Sequence, residues 1–276
     1  MRQRIGTDIV SGGTPAATPQ IRYIIPGGGA TVTLRYQFTS GNVYIDWGDG
    51  SAVEALVSGG AFRDTTHVYA EGTWTVRALG DIMNMTVWRT DISPSHDVGV
   101  FPQAATGFGA NLTMLICSES TGNGNNLACL TGLTLIWLSH KTALSDLTLN
   151  LSSLAELNAL YDLRLTDHPN VTGDLASVVG HPLTMLYLAN TGVNAYTNHQ
   201  VVLSPDVEVI LNGCTDFTAT MCYMFLIGIN SSTTVWTTPS VDFRGCNGGS
   251  CTDTDITASL VNYVRSLGWT VLTDGA

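Results

Sequence analysis

The chain has 276 residues, 12% of them charged and 44% hydrophobic, so it folds as two modest domains or one elongated one and is not a disordered polymer. The formal net charge is -11, and Lys141 is the only lysine among 11 basic residues. Phosphate backbones require clustered cations, so this balance argues against nucleic acid as a partner.

The N-terminal Met1-Arg-Gln-Arg-Ile-Gly-Thr-Asp8 has no apolar core of about 7 to 15 residues behind its arginines, which predicts no signal peptide. The longest apolar run, Met221 to Ile229, is about half of the roughly 20 residues a membrane helix needs, so no membrane insertion is expected. Residues 1–19 are rich in Gly, Thr, Pro and Ala and end in Gly12-Gly-Thr-Pro-Ala-Ala-Thr-Pro19, an extended arm or linker that could order on a neighbouring subunit.

Over residues 20–80 the pattern is period-2 alternation in short runs, such as Thr31-Val-Thr-Leu-Arg-Tyr36, Val43-Tyr-Ile-Asp-Trp47 and Thr73-Trp-Thr-Val-Arg77, separated by Gly-rich turns. Such runs indicate a small β-sandwich. Two stretches, Ile45-Asp-Trp-Gly-Asp-Gly-Ser51 and His67-Val-Tyr-Ala-Glu-Gly-Thr-Trp-Thr-Val76, resemble the signatures of the polycystic-kidney-disease type of immunoglobulin-like domain. Gly48 and Gly50 would supply positive φ in the turn and Asp49 would accept backbone N–H groups there. Asp46, Asp49 and Asp64 are weak candidates for a calcium site, set against the simpler role of holding turns.

From residue 81 to the C-terminus a repeat takes over. Leu112-Thr-Met-Leu115-Ile-Cys117 returns as Leu133-Thr-Leu-Ile136-Trp-Leu138, Leu160-Tyr-Asp-Leu163-Arg-Leu165 and Leu183-Thr-Met-Leu186-Tyr-Leu188, with a shorter echo at Val207-Glu-Val209. Fourth-position markers at 115, 136, 163, 186 and 207 are spaced by 21, 27, 23 and 21 residues. This resembles leucine-rich repeats, whose period is about 20 to 29. The resemblance implies a short irregular solenoid after the immunoglobulin-like sandwich, a mostly β fold with some α, closed from about residue 240 to 276 by a helix and strand cap. The asparagine that such repeats place three residues after the L-x-L unit is replaced by Ser120, Lys141, His168 and Thr191, and only Asn212 fits.

Cysteines stand at 117, 129, 214, 222, 246 and 251 with no C-x-x-C pair, so a zinc or haem site has little support and no cofactor is expected. Buried thiols and sequence-local disulfides both fit, and Cys246 with Cys251, joined by Asn-Gly-Gly-Ser, is the best disulfide candidate. No nucleophile elbow, zincin motif or Walker loop occurs, and Ser95-His96-Asp97 is a run of adjacent residues where a triad is assembled from separated segments. The chain therefore reads as no enzyme.

Strand geometry turns the residue between the last two core positions of each repeat outward, onto the concave strand face. In order these are Ile116, Trp137, Arg164, Tyr187, Glu208 and Asp242. Large aromatics beside an arginine are typical of protein hot spots, and aromatics also stack on sugars. The expected function is a non-enzymatic structural or adhesion protein. A phage virion component (capsid decoration, fibre or receptor-binding protein) comes first, on a virion surface or extracellular, meeting other virion or surface proteins, a host-cell glycan or receptor, or further copies of itself. A bacterial extracellular adhesin or an accessory module of a secreted enzyme system is the alternative.

Overall fold

A computed structural model describes residues 20–25, 29–90, 95–97, 111–118, 120–139, 147–197, 201–232 and 235–275; the expected arm at 1–19 lies outside them. The first strands are β1 (Gln20–Ile25), β2 (Ala30–Phe38), β3 (Val43–Asp46), β4 (Glu54–Ala55), β5 (Arg63–Tyr69), β6 (Gly72–Gly80), β7 (Met85–Thr90) and β8 (Ser95–Asp97). Next come β9 (Met114–Ser118), β10 (Ser120–Thr121), β11 (Leu135–Ser139), β12 (Leu149–Asn150), β13 (Asp162–Arg164), β14 (Val171–Asp174), β15 (Met185–Tyr187), β16 (Gly192–Ala195) and β17 (Glu208–Ile210). Helix α1 (Ala219–Ser231) is followed by β18 (Ser240–Asp242), α2 (Asp253–Ile256), α3 (Ala258–Ser266) and β19 (Thr270–Leu272).

Alternation makes β2 a strand with two characters. Val32, Leu34, Tyr36 and Phe38 are buried, while Thr31, Thr33, Arg35 and Gln37 lie on the other side. The Asp-Trp-Gly-Asp-Gly turn after β3 is built as its composition demands. Gly48 has φ +80, and a Cβ there would stand 2.3 Å from the Thr75 carbonyl oxygen, so only glycine fits. Trp47 Nε1 donates to Glu54 at 3.0 Å, and Tyr69 OH donates to the Trp47 carbonyl at 2.9 Å.

The expected sandwich followed by a solenoid is overturned by the strand order. One ten-stranded sheet runs β19-β18-β17-β15-β13-β11-β9-β7-β2-β5, straight across residue 80. Strands β2 and β5 pair antiparallel, β7 pairs antiparallel with β2, and from β7 to β19 every pairing is parallel. The result is a mixed sheet, mostly β at 35% strand against 22% helix, whose parallel strands and helical returns give it α/β character. The physical reason is that β7 offers hydrogen-bonding edges on both sides, so the alternating segment and the repeating segment share one ladder. Strands β10-β8-β1-β6-β3-β4 form a second sheet and β12-β14-β16 a third. One continuous cluster of buried apolar side chains runs from Val32 to Val271.

Several returning segments begin with a polar cap that accepts orphan N–H groups of a helical turn. Asn123 accepts from Asn125, Asn150 from Ser152, Asp174 from Ala176 and Thr218 from Met221. Thr252 and Asp255 complete a capping box on α2. Just after β13, β15, β17, β18 and β19 the chain passes through positive φ, at Asp167, Asn190, Gly213, Gly245 and Gly275. Residue types that tolerate the left-handed region recur there, one per turn.

Candidate functional site

The register fixes which side chains share the face turned away from the apolar core, where Trp137, Arg164 and Tyr187 are half-buried and Ile116 is buried. The core row reads Trp88, Leu115, Ile136, Leu163, Leu186, Val209, Val241 and Val271. One residue further along each strand, Arg89, Ile116, Trp137, Arg164, Tyr187, Ile210, Asp242 and Leu272 stand in line. Trp137, Arg164, Tyr187 and Asp242 therefore sit where the repeat places them. Glu208 does not. The unit in this turn is Val209-Ile-Leu211, because Asp206 occupies the leading apolar position and shifts the apparent repeat by two residues. Glu208 belongs to the adjacent row on the same face, beside Asp162 and Met185.

The two rows are nevertheless chemically joined. The Arg164 guanidinium lies over the Trp137 ring at 4.9 Å and over the Tyr187 ring at 5.0 Å from their centroids. Its Nε and Nη2 each meet an Asp162 carboxylate oxygen at 2.8 Å, and Nη2 also meets Met185 Sδ at 2.7 Å. Asp162 is only 5% exposed, so the pair is largely withdrawn from water. Hydrogen bonding to Asp162 raises the Arg164 pKa still further, which keeps the cation charged at any working pH. Tyr187 donates its hydroxyl to Glu208. Burial first, and then that carboxylate, push the phenol up to about 12.

The order along the face is aromatic, cation, aromatic, with an acid holding the cation and another holding the second ring. Each ring turns one face to the guanidinium, and its neighbours on the far side are Ile116 and Ile210. Asp242, 8% exposed, is held by Arg244 of the turn that follows β18 at 3.0 and 2.7 Å, two strands away from Tyr187. It is in the row but outside the stack. Sequence reasoning missed Asp162, Met185 and Ile210; the Asp162-x-Arg164 spacing, which puts opposite charges on one strand face, was the available signal.

The candidate calcium ligands do not converge. Asp46 accepts the Gly48 N–H at 2.9 Å and faces Arg77 at 3.6 Å, while Asp64 forms a bidentate pair with Arg35 at 2.7 and 2.8 Å. Asp49 accepts the Ser51 N–H at 3.0 Å and meets His67 Nε2 at 2.7 Å. Burial works against its ionised form, but these hydrogen bonds prevail and hold its pKa down at about 2. Among the described residues no group of three or more His, Cys, Asp or Glu is arranged to hold a metal ion. Asp46 and Asp49 hold the turn, and Asp64 ties β5 to β2 through Arg35.

The position that leucine-rich repeats fill with asparagine carries a different set of donors. Ser120 Oγ donates to the Cys117 carbonyl at 2.8 Å, Thr191 Oγ1 to Leu188 at 2.7 Å, and His168 Nε2 meets the Leu138 carbonyl at 3.1 Å. In the corrected register the next two occupants are Cys214 and Cys246, whose thiols reach the Leu188 and Leu211 carbonyls at 2.9 and 3.1 Å. Buried carbonyls left by the turns are thus satisfied from a single column. Cys246 does not meet Cys251: all six cysteines are free thiols, and Cys251 Sγ lies 3.7 Å from Cys222 Sγ. Among the described residues no helix is long and apolar enough to cross a membrane. No family model matches this chain, and neither curated proteins nor solved structures match it.

Proposed function

We propose that the protein is a non-enzymatic recognition component that binds a protein partner through the open face of the ten-stranded sheet. The observation that carries this reading is the Trp137–Arg164–Tyr187 stack, fixed by Asp162 and Glu208. Trp, Arg and Tyr are the residues most enriched in interface hot spots, where rigid, partly dried side chains bind without losing much conformational freedom. A preformed stack whose cation and phenol are already held by Asp162 and Glu208 has little ordering left to do on binding.

A protein partner is favoured over a glycan by the orientation of the rings. Sugar rings stack on aromatic faces, and here each ring has one face under the Arg164 guanidinium and an isoleucine neighbour on the other side. A virion or other extracellular surface assembly is the setting that suits an acidic, lysine-poor chain carrying such a face, with neighbouring structural proteins as partners.

The test is binding of the full chain, wild type and Trp137→Ala/Tyr187→Ala, to the purified products of its neighbouring genes and, in parallel, to a glycan array. Wild-type binding to one of those proteins, weakened at least about tenfold in the double variant, is the expected result. Equal binding by both forms would sink the open-face assignment, and glycan binding lost in the variant would replace the protein partner by a sugar.

A further inference from the structure

Three cysteines from separate segments meet beneath the C-terminal helices: Cys222 on α1, Cys246 after β18, and Cys251 just before α2. The fold uses them differently. Cys246 gives its thiol to the Leu211 carbonyl, in the same column where Cys214 serves Leu188. The sulfurs of Cys222 and Cys251 meet at 3.7 Å, and Cys222 also lies within hydrogen-bonding reach of Cys246. A disulfide bond is about 2.05 Å, so each sulfur would have to swing by roughly 0.8 Å, a small side-chain rotation.

Both ends are held in place. Cys222 lies in the first turns of α1, where its N–H donates to Thr218 at 3.0 Å. Cys251 is fixed by its own N–H to the Asp274 carboxylate at 2.7 Å, and the same carboxylate takes the Gly245 N–H at 2.8 Å.

We propose that Cys222 and Cys251 are a redox-reactive pair that closes a disulfide between α1 and the segment entering α2, with a low-molecular-weight disulfide as the oxidant. The Cys251 thiolate attacks the small disulfide, forms a mixed disulfide and expels one small thiolate. Cys222 then gives up its proton and attacks the Cys251 sulfur, expelling the second. One S–S bond breaks and one forms. Two electrons pass from the protein sulfurs to the small disulfide, which leaves as two thiols carrying the two protons. The order follows the local chemistry: Cys222, bonded first to Cys246 and then to Cys251, is held in its protonated form, while its hydrogen bond lowers the Cys251 thiol. Because both sulfurs are buried, exchange proceeds during folding or through opening of the C-terminal segment and is slower than at an exposed thiol.

The experiment incubates the full chain with oxidised glutathione, alkylates the remaining thiols after unfolding at acidic pH, and maps peptic peptides by tandem mass spectrometry. One Cys222–Cys251 link, four alkylated cysteines and a Tm raised on the order of 10 °C, reversed by dithiothreitol, are expected. Cys246→Ser should still form the link, and Cys251→Ser should not. Six alkylated cysteines, or a link through Cys246, would overturn the assignment. The wild-type map decides the matter even if a variant fails to fold.

Discussion

Replacing Arg164 by alanine should be among the most damaging changes on the open face. The substitution removes two guanidinium–ring contacts, at 4.9 and 5.0 Å, each contributing about 0.5 to 1 kcal/mol. It also removes a bidentate charged pair and leaves the Asp162 carboxylate, 5% exposed, without its cation. Charge-assisted hydrogen bonds of this kind contribute about 1.5 to 3 kcal/mol net, and a fully buried carboxylate would lose more on being abandoned. The Arg164 side chain keeps 23% of its exposure, which places the total near 3 kcal/mol, or a Tm fall of roughly 6 to 12 °C for a chain of this size. The assay is urea unfolding of Arg164→Ala, Asp162→Ala and the double variant. The cycle should return a coupling of about 1.5 to 2 kcal/mol. The Arg35–Asp64 pair, equally bidentate but 38% and 43% exposed, is the control and should couple by less than about 1 kcal/mol. A loss under about 1 kcal/mol for Arg164→Ala, or equal coupling in the two cycles, would refute the view that this stack is a dried, preorganised unit.

Gly48→Ala and Gly50→Ala should separate steric from conformational strain. Both glycines have positive φ, but a Cβ at 48 would stand 2.3 Å from the Thr75 carbonyl oxygen, whereas nothing lies within 4 Å at 50. The first should destabilise by about 3 kcal/mol or more and the second by about 1, read from chemical denaturation midpoints at constant m. Asp49, with its pKa lowered from 3.8 to about 2, contributes stability that is fully present above its unfolded value and is lost as pH falls through the folded one. Wild type should therefore lose about 1 to 2 kcal/mol more than Asp49→Asn between pH 4 and pH 2, measured by urea unfolding at each pH. Parallel acid profiles for the two proteins would show that the Ser51 and His67 contacts do not hold this carboxylate.

Much of the site could be read in advance, because leucines at L-x-x-L-x-L spacing set the core row and so the outward row one residue along. Trp137, Arg164, Tyr187 and Asp242 followed from that alone. Glu208 was misplaced for a local reason: Asp206 stands where the pattern expects an apolar residue, and Val207-Glu-Val209 imitates the unit that Val209-Ile-Leu211 forms. In a strand a slip of two residues keeps the same face, so Glu208 is still on the open side and still reaches Tyr187. The same slip made Asn212 look like the one fitting asparagine; once the register is right, Cys214 takes that position, and with Cys246 it joins Ser120, His168 and Thr191 in one donor column.

By itself the sequence determined what depends on neighbours along the chain: alternation in β2, the glycine-bound turn at Trp47-Gly48, and the apolar period of the parallel strands. Tertiary structure alone decided which edges meet. Backbone N–H and C=O groups are the same for every residue, so nothing in the side-chain pattern of β7 says that it will pair with β2 on one side and β9 on the other. That pairing merges the alternating and repeating segments into one sheet. The same long-range placement brings Trp137 and Tyr187 to either side of Arg164 and sets Cys251 against Cys222 across 29 residues of chain, where spacing had pointed to Cys246.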